Sequence, residues 1–322
     1  MIGIDVSKAT LAATRLDPLT GAVCWELTVP NTSIGIARLL AKTPAGTPWV
    51  VEPTGRYSQT VAVHAAARDQ VVLLAQPKRA RAFLAALSPR AKTDRLDSRG
   101  LARYGLAVSL RPYPIKPPLM DQLDQLLAAR TGIARALAQL RQQQDSLPEA
   151  AAHLATAVAG LQTQRTALDA AIATRAADLP AVAQLDRVPG VGPVIAAALA
   201  SCLTAKAFPT PDSFVAYIGL DPRVHDSGAH RGQRALSKQG NAELRRLLYL
   251  AAQAVGLRVA ASPFRQQYDR ERAKGLSSTA ALNAVARKLA RVCWSLVRHH
   301  ASYDPNLVYQ QRSLTAPSEI LP

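Results

Sequence analysis

Apolar segments in the first third of the chain follow an order that few folds accommodate. The segments MIGIDV, TLAATRL and VCWELTV follow one another closely, and the loop DPLTG before the third is typical of a hairpin. Helical patterns then alternate with short apolar segments up to about residue 112. Strands joined by hairpins, followed by alternating helices and strands, predict a mixed sheet flanked by helices. We therefore expect an α/β domain at residues 1–112.

The next part of the chain, residues 113–180, is rich in Leu, Ala and Gln. Pro148 predicts a break between two long helices, because proline is tolerated only in the first turn of a helix. We expect an antiparallel helical hairpin or coiled coil, or a helix pair used for dimerisation. Arg165 occupies one expected apolar position of the heptad pattern. The apolar positions of that pattern are Leu154, Val158, Leu161, Leu168 and Ile172.

The remaining sequence predicts a mostly α-helical C-terminal domain at 181–302 and a flexible tail at 303–322. Asp5 interrupts any N-terminal signal peptide, and no segment approaches the ~20 apolar residues of a transmembrane helix. The cysteines Cys24, Cys202 and Cys293 have neither metal-ligand spacing nor the pattern of a disulfide framework. These features predict a cytoplasmic protein.

The formal net charge is +17 and the isoelectric point is about 10.4. Arginine supplies 30 of the 39 basic residues, and its planar guanidinium suits bidentate phosphate contacts. A GC-rich genome would explain the excess of arginine equally well, but it would not explain the net charge. The charge predicts a polyanionic partner.

Four acids of the first domain stand out by their positions. Asp5 lies inside an apolar segment, where a lone carboxylate is costly unless it is paired, protonated or bound to a cation. Glu52 follows the fourth apolar segment, and Asp94 and Asp97 share a helix face because they are three residues apart. Individually, Asp5 fits a turn or cap, Glu52 an exposed strand end, and the last two fit solvated partners of nearby arginines.

Together the acids indicate a specific chemistry. Mg²⁺ prefers oxygen ligands, usually a few carboxylates with substrate phosphate and water. Two such ions can activate one oxygen and stabilise another during displacement at phosphorus. We expect the acids to converge at one edge of the sheet.

The motifs GIDVSK, VEPTGRY and KTDRLDSRGLARY resemble those of the DEDD transposases of bacterial insertion sequences, the insertion sequence 110 family. The resemblance implies a RuvC-like (RNase H-like) N-terminal domain. It places Asp5, Glu52, Asp94 and Asp97 at the four metal-binding catalytic positions, with Mg²⁺ as the cofactor and Mn²⁺ as the alternative.

The segment from Gly219 to Leu248 contains the pattern GL-x-P…SG…SK-x-GN…LRR, which resembles the C-terminal domain of the same family. That resemblance implies a nucleophilic serine, with Ser227 as the best match and Ser237 as the alternative. A serine hydroxyl needs activation by a base or a metal. His225, Asp226 and His230 flank Ser227, but metal held by the acids is the favoured activator, in a site composed from both domains.

Two glycines, Gly190 and Gly192, lie between helical stretches in the segment VPGVGP. Backbone N–H groups at such a helix start can bind a phosphate, as in a helix-hairpin-helix clamp. A plain interhelical turn fits the same residues.

Basic residues cluster beside these motifs, as phosphate contacts or as solvated helix faces. The predicted nucleic-acid contacts are Arg56, Lys78, Arg79, Arg81 and Lys92 in the first domain, and Arg231, Arg234, Lys238, Arg245 and Arg246 in the second.

The resemblance implies a transposase that acts as a site-specific DNA recombinase in the bacterial cytoplasm, associated with the nucleoid. Its partners would be donor and target DNA, a structured non-coding bridge RNA, and further copies of the chain, as dimers pairing into tetramers. Two alternatives stay open: a RuvC-like structure-specific nuclease that uses water, and a non-catalytic nucleic-acid-binding protein.

Overall fold

A computed structural model describes residues 1–87, 93–223, 226–227, 230–231, 235–259 and 261–309. The chain forms two compact units, Met1–Lys116 and Pro117–Pro322. Lys92 and Arg234, two of the predicted nucleic-acid contacts, lie outside the described residues.

The first unit is built on a six-stranded mixed sheet with the strand order β3-β2-β1-β4-β5-β6. Strand β1 is antiparallel to β2 and parallel to β4, and β5 continues parallel to β4. The mixed sheet predicted from the sequence is thereby confirmed. Its strands are β1 (Ile2–Val6), β2 (Thr10–Leu16), β3 (Val23–Pro30), β4 (Trp49–Val51), β5 (Val72–Leu74) and β6 (Arg111–Pro112).

Helices cover both faces of this sheet. Ile2, Ile4 and Val6 pack in one apolar cluster with residues of the first two helices. Val50, on the other face, packs with residues of the third and fourth helices. The alternation of side chains along each strand thus produces two cores. The helices are α1 (Ser33–Lys42), α2 (Arg56–Ala66), α3 (Pro77–Leu87) and α4 (Asp94–Ala107).

Helix α4 lies unusually close to β1 at Gly3. A Cβ atom on Gly3 would stand 2.1 Å from the carbonyl oxygen of Ser98 and 2.3 Å from the backbone nitrogen of Ala102. The hydroxyl groups of Thr14 and Ser98 form a buried hydrogen bond of 2.8 Å beside this contact. A glycine inside a strand often marks such an approach of another backbone.

The second unit begins with two long helices, α5 (Pro118–Ser146) and α6 (Ala151–Ala176), separated by a 3-10 turn that starts at Pro148. Arg130 contacts Asp169 at 2.5 Å and Arg141 donates to Gln162 at 2.6 Å, so the two helices run antiparallel. The predicted hairpin and its break are confirmed, while supercoiling of the pair stays a prediction.

The rest of the second unit is mostly helical, as predicted, with short two-residue strands in its middle. Its core surrounds α12, whose residues Val285, Leu289 and Cys293 are fully buried. No helix in the described parts of the chain is long and apolar enough to span a membrane. The elements are α7 (Pro180–Leu185), α8 (Pro193–Ala205), α9 (Pro211–Tyr217), β7 (Pro222–Arg223), β8 (Asp226–Ser227), β9 (His230–Arg231), β10 (Ala235–Leu236), α10 (Ala242–Leu257), α11 (Pro263–Ala273) and α12 (Ser278–His299).

The start of the predicted flexible tail is anchored. Val308 is 5% exposed, and the Tyr309 hydroxyl donates to the Gln267 side chain at 2.7 Å. The guanidinium of Arg270 lies 4.8 Å from the centre of the Tyr309 ring, a cation–π contact. The packed part of the chain therefore extends to residue 309, beyond the predicted boundary at 302.

Replacing Gly3 with Ala is expected to destabilise the first unit, because the new methyl group would meet the backbone of α4. Overpacking of this kind costs about 1–3 kcal/mol. Gly132→Ala is a control, because a Cβ there meets no atom within 4 Å and alanine favours the helix by about 0.5–1 kcal/mol. Calorimetry should show a lower melting temperature for Gly3→Ala but not for Gly132→Ala. A wild-type melting temperature for Gly3→Ala would contradict this packing.

Candidate functional site

The carboxyl ends of β1, β4 and β5 meet at one edge of the sheet because the three strands are parallel. Ile4 is the register partner of Val51, so the residues that follow them, Asp5 and Glu52, are neighbours across the two strands. Adjacent strands are about 4.8 Å apart. The structure therefore brings together the backbone positions of the first two predicted metal ligands.

The two acids also share a face of the sheet. Asp5 is two residues from Gly3, which contacts α4, and alternation along β1 places both residues on the same face. Val50 contacts α4 near Gly105, and the alternation of β4 continued by two residues places Glu52 on that face as well. Asp5 and Glu52 are therefore directed to the α3/α4 side of the sheet.

Helix α4 brings its first turn to the level of Asp5. A Cβ on Gly105 would contact Met1 and Val50 at the start of the strands, whereas Gly3 faces Ser98 and Ala102. Moving along β1 towards Asp5 thus corresponds to moving along α4 towards its N-terminus. Two further strand residues span about 6.6 Å, equivalent to about four helical residues. This offset reaches the first turn of α4.

Asp94 and Asp97 occupy that first turn, and Thr93 caps it by accepting the backbone N–H of Leu96 at 3.3 Å. Asp97 is one turn before the buried Leu101, whereas Asp94 is exposed and lies one turn before Ser98. Acids here also interact favourably with the helix dipole. Both aspartates therefore extend beyond the part of α4 that packs on the sheet.

Although the four acids occupy neighbouring elements, they do not form a tight cluster. Within the described ranges, no group of three or more His, Cys, Asp or Glu side chains is close enough to hold a metal ion. The structure thus supports the convergence of strand ends and helix start, while ligation by all four acids stays a prediction.

The residues after Glu52 form a tight connection to α2. Gly55 has a φ of 67°, a conformation that favours glycine. The backbone N–H of Thr54 donates to the buried Ser58 hydroxyl at 2.9 Å, and that hydroxyl also contacts the Tyr113 hydroxyl at 2.8 Å. This network fixes the loop that follows Glu52.

Basic side chains surround the same edge. Arg56 is exposed at the first residue of α2, directly after this loop. Lys78, Arg79 and Arg81 are exposed on the first turns of α3, which follows the carboxyl end of β5. The predicted nucleic-acid contacts in the described part of the first unit are therefore accessible, and they lie near the acidic edge.

In the second unit, two antiparallel arms form the base of a hairpin that contains Ser227. We call residues 217–223 and 235–241 the hairpin base. Ser237 N–H donates to Asp221 at 2.9 Å, Lys238 N–H to Gly219 at 3.2 Å, and Asn241 N–H to Tyr217 at 3.0 Å. Strands β7 and β10 continue this pairing away from the helices. These hydrogen bonds fix the position of each arm relative to the other.

Two glycines allow the arms of the hairpin base to approach closely. Gly219 has a φ of 69°, and a Cβ there would stand 2.9 Å from the backbone nitrogen of Gln239. Gly240 has a φ of 138°, and a Cβ there would stand 2.0 Å from the Tyr217 carbonyl oxygen. Gly219 and Gly240 of the C-terminal sequence pattern are therefore required by the backbone itself.

The two candidate serines occupy different positions. Ser227 ends β8 and pairs with His230 of β9, so its backbone lies at the turn end of the hairpin. Ser237 is partly buried in the hairpin base, where its hydroxyl donates to the Asp221 carboxylate. This bond holds the Ser237 side chain within the hairpin base, and the choice of Ser227 as the nucleophile stays a prediction.

Arg245 and Arg246 were predicted as nucleic-acid contacts, but both make internal contacts. Arg245 donates to the Ile218 carbonyl at 2.9 Å, and Arg246 donates to Glu243 at 2.5 and 3.1 Å. Burial raises the pKa of Glu243, but hydrogen bonds from Arg246 and Thr131 outweigh it, and the net pKa is lowered. Both guanidiniums therefore hold local structure, Arg246 is paired with an acid, and phosphate contact by either residue stays a prediction.

The other predicted nucleic-acid contacts of the second unit lie in the hairpin and in the turn before α8. Lys238 is exposed with a φ of 51°, and Arg231 lies in β9. Gly190, with a φ of 80°, follows Pro189 in a turn in which Val191 N–H donates to the Val188 carbonyl at 3.0 Å. These are features of a type II turn.

Gly192 is the exposed N-cap of α8, with open space around its Cα. The first turn of an α-helix leaves backbone N–H groups without intrahelical partners. Gly190 thus shapes the turn between the helices, and Gly192 leaves the start of α8 exposed, while phosphate binding by this segment stays a prediction.

The sequence did not single out two residues that position the acids, Gly3 and Ser58. Gly3 gave a usable signal, since an isolated glycine in a strand often marks a close backbone approach. Ser58 carried no such signal in the sequence, because its partner Tyr113 is 55 positions away along the chain.

Two family models match separate parts of the chain. Residues 2–149 match the transposase model of the DEDD type of IS110, and residues 182–269 match the model for transposases of the IS116/IS110/IS902 family. The first match contains all four acids, and the second contains both candidate serines and the hairpin base.

Curated relatives agree with these matches. A pilin gene-inverting protein of Moraxella bovis is 26% identical over 321 residues, covering 95% of this chain and 98% of the relative. An uncharacterised protein of insertion element IS116 from Streptomyces clavuligerus is 30% identical over 122 residues, 38% of this chain and 30% of the relative. A probable family 20 transposase of Pseudomonas aeruginosa is 33% identical over 127 residues, 38% of this chain and 37% of the relative.

The similarity to the IS116 protein and the Pseudomonas transposase thus spans less than half of their own length, whereas the Moraxella protein is matched almost throughout. The sequence motifs, the two family models and these relatives agree. The chain belongs to the IS116/IS110/IS902 family of transposases.

Proposed function

We propose that this protein is a transposase that cuts and rejoins donor and target DNA as a site-specific recombinase. The observation that carries the proposal is the convergence of Asp5, Glu52 and the first turn of α4 at one sheet edge. Family membership supplies the reaction class, and the basic residues at the same edge fit a DNA backbone.

The donor set fits a hard divalent cation. Asp5, Glu52, Asp94 and Asp97 offer only carboxylate oxygens, which suit Mg²⁺ or Mn²⁺. Like charges gathered at one site repel each other, so the acids are expected to approach fully only around cations. A bound Mg²⁺ would stabilise charge on the phosphoryl oxygens and lower the pKa of an oxygen nucleophile.

Ser227 is proposed as the nucleophile. Its Oγ would attack phosphorus, forming an O–P bond as the bond to the leaving deoxyribose oxygen breaks, and its proton would pass to a base at the site. The leaving deoxyribose oxygen would take up a proton from the site and depart as a hydroxyl, and the hydroxyl of an exchanged strand would reverse the step, losing its proton as serine regains one. The phosphoserine ester conserves the energy of the broken bond, so rejoining needs no nucleoside triphosphate.

Family membership also supports proposals for an RNA partner and for the oligomeric state. We propose a structured non-coding bridge RNA as the guide, and homodimers that pair into tetramers, since exchange between two duplexes requires several active sites. A formal net charge of +17 supports binding of both DNA and RNA. From family membership we also propose that the first unit is RuvC-like and that the protein is cytoplasmic and associated with the nucleoid.

A second candidate function is inversion of a DNA segment within one molecule. A relative that is matched over nearly its whole length is named a pilin gene-inverting protein. Inversion uses the same cutting and rejoining chemistry, and differs only in the arrangement of the two sites.

Asp5→Asn and Glu52→Gln are expected to weaken Mn²⁺ binding by at least about tenfold, a loss that even substitutions of outer-shell partners produce. They should also abolish metal-dependent DNA cleavage. Isothermal titration with Mn²⁺ and a cleavage assay on the DNA that flanks the gene would measure both effects. Asp69→Asn is the control, because Asp69 is exposed with a φ of 57°, a conformation that asparagine tolerates. Wild-type Mn²⁺ affinity in both site variants would contradict the metal assignment.

Ser227→Ala is expected to abolish a covalent protein–DNA adduct trapped by denaturation, whereas Ser237→Ala should only reduce its yield by loosening the hairpin base. Mass spectrometry of the modified peptide would identify the attached serine. An adduct on Ser237 would reverse the assignment. Cleavage without any adduct would favour the water-using nuclease, and DNA binding without metal-dependent cleavage would favour the non-catalytic binder.

Replacing Lys78, Arg79 and Arg81 with Gln is expected to weaken duplex DNA binding and to flatten its salt dependence. Each lost phosphate contact lowers the slope of log K against log salt by about 0.9. Fluorescence anisotropy at several salt concentrations would measure the slope. Arg246→Gln is a control that removes an internally paired charge and should leave the slope near that of the wild type. Equal slopes in all three proteins would exclude α3 from the interface.

A further inference from the structure

Two guanidinium groups reach the same short stretch of the hairpin base from two different helices. Arg245 of α10 donates through Nη1 to the Ile218 carbonyl at 2.9 Å. Arg287 of α12 donates through Nε to the Leu220 carbonyl at 3.0 Å. These carbonyls flank Gly219, whose left-handed backbone brings the two arms together.

The surroundings of Arg287 distinguish it from a surface cation. Leu220 is fully buried, and Arg287 itself is only partly exposed. Burial and the neighbouring Arg291 lower the pKa of the Arg287 guanidinium, while Asp221, Asp212 and Glu271 act in the opposite direction. An arginine stays charged at neutral pH even so, and its hydrogen bond to a carbonyl is charge-assisted.

The anchored stretch leads directly into the Ser227 hairpin. Leu220 is followed by Asp221, which holds Ser237 through both backbone and side chain, and then by β7. Because the second arm is bonded to the first, fixing the carbonyls at 218 and 220 fixes the direction of both arms.

We propose that Arg245 and Arg287 are positioning residues that hold the hairpin base on α10 and α12, and thereby set the place from which Ser227 reaches the scissile phosphate. This rests on the proposed function of Ser227. Arg287 lies outside the sequence pattern that contains Arg245, and the bond that it donates is what assigns it this role.

The competing interpretation is that Arg287 contacts a phosphate. Arg291, one turn further along the same helix, provides the matched comparison. Its guanidinium pairs with Asp212 at 2.6 Å in a contact exposed on both sides. Such exposed pairs contribute little to stability. Arg287→Gln and Arg291→Gln therefore remove the same charge from the same helix, but only the first removes a bond to the hairpin base.

The experiment combines hydrogen exchange, DNA binding and adduct formation on the full chain. Arg287→Gln is expected to accelerate exchange of the amides of Ser237, Lys238 and Asn241 about tenfold, the factor that loss of one charge-assisted hydrogen bond produces. Adduct formation should slow about 10- to 100-fold through misplacement of Ser227. DNA affinity and its salt slope should match those of Arg291→Gln within about twofold, since both lose one charge.

Arg287→Lys keeps one donor and the charge, so it should recover part of the adduct rate. The proposal is overturned if Arg287→Gln and Arg291→Gln behave alike in exchange and adduct formation, or if exchange rises throughout the second unit. A lower affinity with normal adduct formation by bound protein would identify a phosphate contact instead. If wild-type protein forms no adduct, the proposed function fails, while the exchange comparison still tests the anchoring of the hairpin base.

Discussion

The backbone contact between Gly3 and α4 is the constraint on which the candidate site depends. A side chain at position 3 would overlap the backbone at Ser98 and Ala102, so only glycine lets the helix lie this close to the central strand. The approach places the first turn of α4 at the level of Asp5, and the parallel register of β1 and β4 places Glu52 next to it. Acids that are about ninety positions apart in the sequence are thereby directed to one edge, beside the exposed cations of α3.

In the second unit, hydrogen bonds rather than a close backbone contact with a helix position the candidate hairpin. A short hairpin has few apolar contacts of its own, so its position must be fixed by the elements that support it. Here the arms are bonded to each other, two glycines allow their close approach, and guanidiniums from α10 and α12 bind the carbonyls beside Gly219. The basic residues of this chain therefore differ in their surroundings: those of α3 are exposed, whereas Arg245 and Arg287 bind carbonyls of the hairpin base.

The sequence predicted the mixed sheet, the helical hairpin and its break at Pro148, because period-two and heptad patterns and proline chemistry are local properties. It also predicted that Asp5, inside one strand, and Glu52, at the end of a neighbouring strand, lie at the same edge of the sheet. It could not distinguish Arg56, which is exposed, from Arg246, which pairs with Glu243, since burial depends on tertiary contacts. The anchoring of Tyr309 on Gln267 and Arg270 was missed for the same reason: a polar, proline-containing segment carries no local signal of such packing.

The most direct test of the central claim is to locate the metal. Crystals of the full chain grown with Mn²⁺ and DNA carrying the flanking sequence would give an anomalous difference map that needs no assumption about side-chain positions. The account predicts Mn²⁺ peaks at the carboxyl ends of β1 and β4, within ligand distance of Asp5, Glu52 and an aspartate from the first turn of α4. Mn²⁺ bound elsewhere, with these carboxylates paired to basic side chains of the protein, would contradict it.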